Sequence, residues 1–158
     1  MSTNDDRTSI IETCTRMAWH ADRREWDRLR TLFADEVRLD YTSLNGGEPG
    51  TLTPADIVAG WRDALGAYAA TQHLITNHLV TVDGDTAVCT ASFQATHRHP
   101  GPLDTAPLWT LGGDYRFDLV RAGGQWKIAG IEMIAKWSRG DREVKASDEA
   151  TEEKEARS

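Results

Sequence analysis

The segment Thr86-Ala-Val-Cys-Thr-Ala-Ser-Phe-Gln-Ala-Thr-His-Arg98 decides the fold. Ala87, Cys89, Ala91, Phe93, Ala95 and His97 fall on one parity. Thr86, Thr90, Ser92, Gln94, Thr96 and Arg98 fall on the other. Alternation this regular predicts a strand with one face on a core. On its N-terminal side, Asp83-Gly84 marks a tight hairpin, and residues 72–82 before it are rich in β-branched side chains. On its C-terminal side, His99-Pro-Gly-Pro102 breaks the strand. Residues 108–121 then carry Trp109, Leu111, Tyr115, Phe117 and Leu119 on one face. Gly123-Gly124 turns the chain into a last strand over 126–137. The second half is therefore four antiparallel strands.

The first half reads as helical. Ile11, Cys14 and Ala18 recur at helical spacing, with Ile10 and Met17 beside them. A second helix is expected from Asp22, with Trp26, Leu29, Leu32 and Phe33 on one face. Val37, Leu39 and Tyr41 alternate as in a short strand. Residues 45–50 (NGGEPG) read as a loop. Thr53-Pro54-Ala55-Asp56 begins a third helix, with a Thr cap, Pro in the first turn and an acid near the positive end of the dipole. Helix, helix, strand, helix and four strands make an α+β plan. Its expected form is a cone-shaped, curved antiparallel sheet with three N-terminal helices on the concave face.

The 158 residues are 39% hydrophobic and 27% charged, enough apolar material for one domain with a real core. The formal charge of −7, from 18 Lys+Arg against 25 Asp+Glu, leaves no basic cluster. Nucleic acid and anionic membranes are thus poor partners. No apolar run reaches the ~18 residues of a membrane span, and the polar start resembles no signal peptide. Cys14 and Cys89 have no metal-type spacing and read as reduced, buried thiols of a cytoplasmic protein. The domain is expected over 1–138, with the first six residues loose. The charged stretch 139–158 is expected to be a disordered tail without a chemical role.

Asp22, Tyr41, His73 and His97 are the candidates for chemistry. His97 sits on the apolar side of its strand. It is either a core imidazole satisfied by a backbone carbonyl or a pocket imidazole able to move protons near its ordinary pKa of ~6.5. His73 opens a strand and shares parity with Asn77, which makes the two a possible polar pair in one pocket. Asp22 is either a helix N-cap or a carboxylate that orients an imidazole. Tyr41 is either a core aromatic or a phenol facing a substrate oxygen. Trp109 and Tyr115, on the apolar face of their strand, are candidate substrate contacts. His97 and His99 have no third ligand of fitting spacing beside them, so no metal is expected.

These elements in this order resemble the nuclear-transport-factor-2-like superfamily with its SnoaL-like members. The likeness covers about Thr8 to Trp137. Four stretches look closer to scytalone dehydratase: Asp22-Arg-Arg-Glu-Trp-Asp-Arg-Leu-Arg30, Arg38-Leu-Asp-Tyr-Thr-Ser43, Thr71-Gln-His73 and Gly124-Gln-Trp-Lys-Ile-Ala-Gly130. The resemblance implies an apolar pocket at the open end of a cystatin-like α+β barrel. It implies an acid–base group formed by Asp22, His73 and His97, in which Asp22 orients and charges the two histidines. Tyr41 would help hold a water beside the substrate carbonyl. The implied reaction is loss of water from a cyclic β-hydroxy ketone, with no metal or organic cofactor. Where the family has a second tyrosine just before the Asp, this chain has Ala21. The family's Ser and Asn on the penultimate strand fall near residues 113–115. Proton transfer is thus retained while substrate positioning is altered. The same scaffold also hosts isomerases, cyclases and binding modules.

Self-association is expected as well. The face of Thr86–Arg98 opposite His97 is polar but nearly uncharged, and the last strand has apolar residues on both parities. Burial on both sides implies a homo-oligomer built through the outer sheet face, and the resemblance to the dehydratase implies a trimer first and a dimer second.

Overall fold

Thr53 caps a helix as its sequence requires: its hydroxyl accepts from the backbone N–H of Asp56 at 3.3 Å, and Pro54 occupies the first turn. The computed structural model describes residues 3–144. In chain order these form α1 (Thr3–Asp22), α2 (Trp26–Arg30), β1 (Phe33–Asp40), α3 (Thr42–Asn45), β2 (Gly50–Leu52), α4 (Pro54–Gly66), β3 (Ala70–Asp83), β4 (Thr86–Arg98), β5 (Leu108–Ala122) and β6 (Gln125–Arg139). The six strands make one curved, unclosed sheet in the order β2-β1-β6-β5-β4-β3, with the helices packed on it. The α+β plan holds. One pair departs from the antiparallel expectation: β1 runs parallel to β6.

The core lies between the helices and the inner sheet face. Ile10, Cys14 and Met17 of α1 and Ile57 of α4 meet Cys89, Phe93, Phe117 and Ile131 of the strands, all nearly inaccessible. Both cysteines are free thiols. Among the described residues no helix is long and apolar enough to cross a membrane.

Several expectations need correction. α1 already begins at Thr3, within the six residues expected to be loose, and Asp6 anchors its first turns. The buried Asp6 carboxylate accepts from Trp126 Nε1 and pairs with Arg121 Nη1, each at 3.0 Å. Asp22 is the last residue of α1 and not the cap of α2. A tight turn with Arg24 in the left-handed region (φ 60°) separates the two helices. Phe33 belongs to β1, and part of the expected loop folds as α3 and β2. The chain also stays ordered beyond residue 138: β6 runs to Arg139, and residues 140–144 are described. The rest of the expected tail, 145–158, lies outside the described residues.

Bulges explain where parity misleads. In β3 the register shifts between Thr76 and Leu79, at Asn77 with φ 56°. In β6 a shift at Ala129 lets Trp126 and Ile128, then Ile131 and Met133, all face the core. The two-sided apolar pattern is thus largely one inner face interrupted by a bulge. A second shift in the β5–β6 pairing needs Gly113, since a Cβ there would lie 1.9 Å from the Ile134 carbonyl oxygen. On the outer face, exposed apolar residues do remain: Leu74 (50%), Trp137 (49%) and Ile134 (39%). Leu74, Gln94, Gly112 and Trp137 form one cross-strand row.

Candidate active site

Ending a helix at Asp22 frees its carboxylate to reach the start of β3. Oδ1 lies 2.7 Å from His73 Nδ1 and accepts from the Thr71 hydroxyl at 2.9 Å. Oδ2 accepts from the His73 backbone N–H at 2.7 Å. Three donors thus lock the carboxylate. An ionised carboxylate only accepts, so the His73 proton sits on Nδ1 and the Nε2 lone pair is free. His73 lines a cavity of about 480 Å³, within the usual range of ligand pockets. Its walls are largely apolar, with Met17, Leu39, Trp61, Phe93, Leu111 and Met133 among them.

His97 stands beside His73, ring centroids 5.7 Å apart and planes at 80°. Its Nδ1–H donates to the Trp109 carbonyl at 3.2 Å, so Nε2 is bare here too. Burial pushes its pKa down to about 4, outweighing the opposing pull of the Trp109 carbonyl and of Asp22. His97 is therefore neutral at neutral pH. The expectation that Asp22 orients and charges both histidines is corrected: it bonds His73 and leaves His97 uncharged. His97 bonds a backbone carbonyl and also lines the cavity, but its lowered pKa departs from the expectation of an imidazole that moves protons near ~6.5.

Tyr41, just after β1, and Tyr115, on β5, also line the cavity, with each phenol close enough to influence the other's ionisation. Burial raises the Tyr41 phenol well above its ordinary pKa and pushes Tyr115 up to about 12. Both remain protonated donors. Trp109 forms part of the wall, its ring 4.4 Å from His97. Ala21 lies on the wall as well. Asn77 is a correction. The bulge turns its side chain to the exposed surface, where it donates to Ser92 Oγ at 3.4 Å, and it is absent from the cavity wall. Past the bulge the partly buried position passes to His78.

Sequence reading missed Tyr68 and Arg142, both on the wall. Tyr68 follows α4, outside any periodic pattern. Its ring packs on His97 at 4.9 Å and stacks with Trp109 at 6.3 Å. Arg142 sits in a stretch whose composition signals only charge. Among the described residues no group of three His, Cys, Asp or Glu side chains is placed to hold a metal ion.

The neutral His97 gives a pH prediction. A histidine with a depressed folded pKa contributes stability above ~6.5 that is lost as pH falls toward its folded pKa, because the unfolded chain binds the proton more readily. The shift from 6.5 to about 4 is worth roughly 3 kcal/mol. His78, lowered by burial, acts in the same direction. Urea unfolding midpoints should fall steadily between about pH 6.5 and 4, and His97→Gln should flatten that slope. An unchanged slope in the variant contradicts the assignment.

A family model described as SnoaL-like domain matches residues 2–132. No curated protein matches the chain. The crystal structure of the Kfla4162 protein from Kribbella flavida is 33% identical, over 87% of this chain and 95% of that one, with a TM-score of 0.82. A proposed scytalone dehydratase from Novosphingobium aromaticivorans is 20% identical over 89% and 90%, TM-score 0.74. A hexachlorocyclohexane dehydrochlorinase of LinA type 2 is 16% identical over 90% and 93%, TM-score 0.69. At these lower identities the last two show a shared fold. The matched span takes in the helices, strands β1 to β5, the first half of β6 and the Asp22–His73 contact, and the chain belongs to the SnoaL-like (nuclear-transport-factor-2-like) domain family.

Proposed function

We propose that the protein is a cofactor-independent lyase of the cytoplasm that removes water from a cyclic or aromatic β-hydroxy ketone. The observation that carries this reading is the 2.7 Å Asp22–His73 contact on the wall of an apolar cavity that also holds two phenols. The substrate carbonyl accepts from the Tyr41–Tyr115 pair, which stabilises enolate character. His73 Nε2 takes the proton from the carbon next to the carbonyl. The C–H electron pair becomes the new C=C bond, the C–O bond to the β-hydroxyl breaks, and the imidazolium returns its proton so that water leaves. Asp22 holds the imidazole tautomer and stabilises the charged intermediate. Neutral His97 accepts through Nε2 and orients the departing hydroxyl. The products balance as enone plus water.

A panel of cyclic β-hydroxy ketones, followed by mass spectrometry, tests this. The expected product is lighter by one water. Consumption at unchanged mass indicates isomerisation or cyclisation on the same scaffold, and retention of ligand without turnover indicates a binding module. Either result overturns the dehydratase reading.

The exposed row of Leu74 and Trp137 supports a second part of the proposal, self-association through the outer sheet face. A trimer is the first expectation and a dimer the second. Light scattering at micromolar concentration checks it, and a clean 17.5 kDa monomer would contradict it.

A further inference from the structure

The chain that follows β6 brings Arg142 to the cavity wall, and three hydrogen bonds fix its course. His99 Nε2–H donates to the Asp141 carbonyl at 2.7 Å. The Tyr68 hydroxyl donates to the Arg142 carbonyl at 2.5 Å. Arg142 Nη2 donates to Asn45 Oδ1 at 2.9 Å. Val144 then packs against the core. These contacts hold the Arg142 guanidinium on the cavity wall, 5.2 Å from the centre of the Trp109 ring. Its charge is felt inside, where it helps hold His97 in the neutral form.

The side chain has spare capacity. A guanidinium carries five N–H donors in a planar fork, and Asn45 takes one. Among the described residues no carboxylate lies within ion-pairing distance of it. Glu48 is the one carboxylate that lines the cavity among the described residues, and it forms no such pair. Successive contacts also link this guanidinium to the reacting histidine. The rings of His73, His97 and Trp109 and then the Arg142 guanidinium follow one another at spacings of 5.7, 4.4 and 5.2 Å. A fused-ring substrate whose reacting carbon faces His73 would lie along this series, with its far edge at Arg142.

We infer that Arg142 is a specificity residue that binds an anionic substituent, a ring carboxylate, on the end of the substrate remote from the reacting carbon. The inference rests on the dehydratase reading only for which end faces His73. The substrate class narrows to a fused-ring hydroxy ketone acid. A planar fork suits a carboxylate bidentately, and the apolar Trp109 face beside it lowers local water access. Arginine and lysine are not equivalent in such a place, since the ammonium offers a point charge without the fork.

The test is binding, so it does not depend on turnover. The probes are α-tetralone and its ring carboxylate, titrated against the whole protein by quenching of tryptophan fluorescence. The wild type is expected to bind the carboxylate about tenfold more tightly than the neutral ketone, the usual scale of a hydrogen bond to a charged group. Arg142→Gln should erase that preference while leaving the affinity for α-tetralone in place. Arg142→Lys should retain part of it, and the preference should weaken with salt. Equal affinity of the wild type for the two probes, binding of neither, or an Arg142→Gln loss shared by both probes overturns the inference. Preference for the carboxylate with no elimination on any hydroxy ketone would instead leave Arg142 as a binding residue and remove the dehydratase reading.

Discussion

His73→Ala is expected to lower kcat by at least ~10²-fold, the lower end of what a positioned general acid–base group contributes. His73 is the one imidazole whose Nδ1 is held by a carboxylate while its Nε2 stays free on the cavity wall. His97 has no carboxylate partner and is kept neutral by burial, so it does not replace the lost base. Binding should change little by comparison, because the apolar wall and the phenols are untouched. The loss therefore belongs in kcat, with KM close to that of the wild type. His73→Gln keeps a donor for Asp22 and serves as the folded control. Near-normal turnover in either folded variant would contradict the role given to His73.

Asp22→Asn is expected to produce a loss of similar size for a different reason. The amide retains one acceptor oxygen and replaces the other with a donor. Three donors converge on this carboxylate: the His73 ring, the His73 backbone and the Thr71 hydroxyl. With an amide, one of these donors faces an N–H, and the imidazole is no longer held with its proton on Nδ1. The charge that stabilises the imidazolium is also gone. In catalytic triads, exchange of the orienting aspartate for asparagine costs up to ~10⁴ in kcat, and about 10²–10³ is expected for this dyad, which lacks a covalent step. Steady-state kinetics with thermal melts checks this. A folded Asp22→Asn protein that keeps most of its kcat would show the carboxylate to be structural.

Much of the site was legible because its residues lie on regular elements. His97, Trp109 and Tyr115 follow strict strand alternation, and the structure puts all three on the inner face. The contact of Asp22 with His73 was expected from resemblance alone. Spacing left Asp22 equally suited to cap a helix, since a capping Asp and an orienting Asp look alike when the turn after them is unknown. The misreadings share a physical origin. Alternation assumes an unbroken pleat, and a bulge moves every later side chain to the other face. That shift took Asn77 out of the cavity and made β6 look apolar on both sides. Asn77 is a residue type that tolerates the left-handed backbone of its bulge, but Ala129 carries no such sign. The strap carrying Arg142 escaped for a different reason. Composition places a charged stretch in solvent, whereas three hydrogen bonds to Tyr68, Asn45 and His99 hold this one against the folded domain, with Arg142 on the cavity wall. Such long-range partners leave no periodic trace.

Proton abstraction by His73 is the central claim, and deuterium exchange isolates it from the departure of water. α-Tetralone has exchangeable protons next to its carbonyl and no hydroxyl to lose. In D₂O near neutral pH, one-dimensional NMR should show the wild type accelerating loss of that proton signal well above the buffer rate. His73→Ala should return the rate to that of buffer, while still binding the ketone. Exchange at the buffer rate with the wild type bound, or equal acceleration by wild type and His73→Ala, would contradict the account.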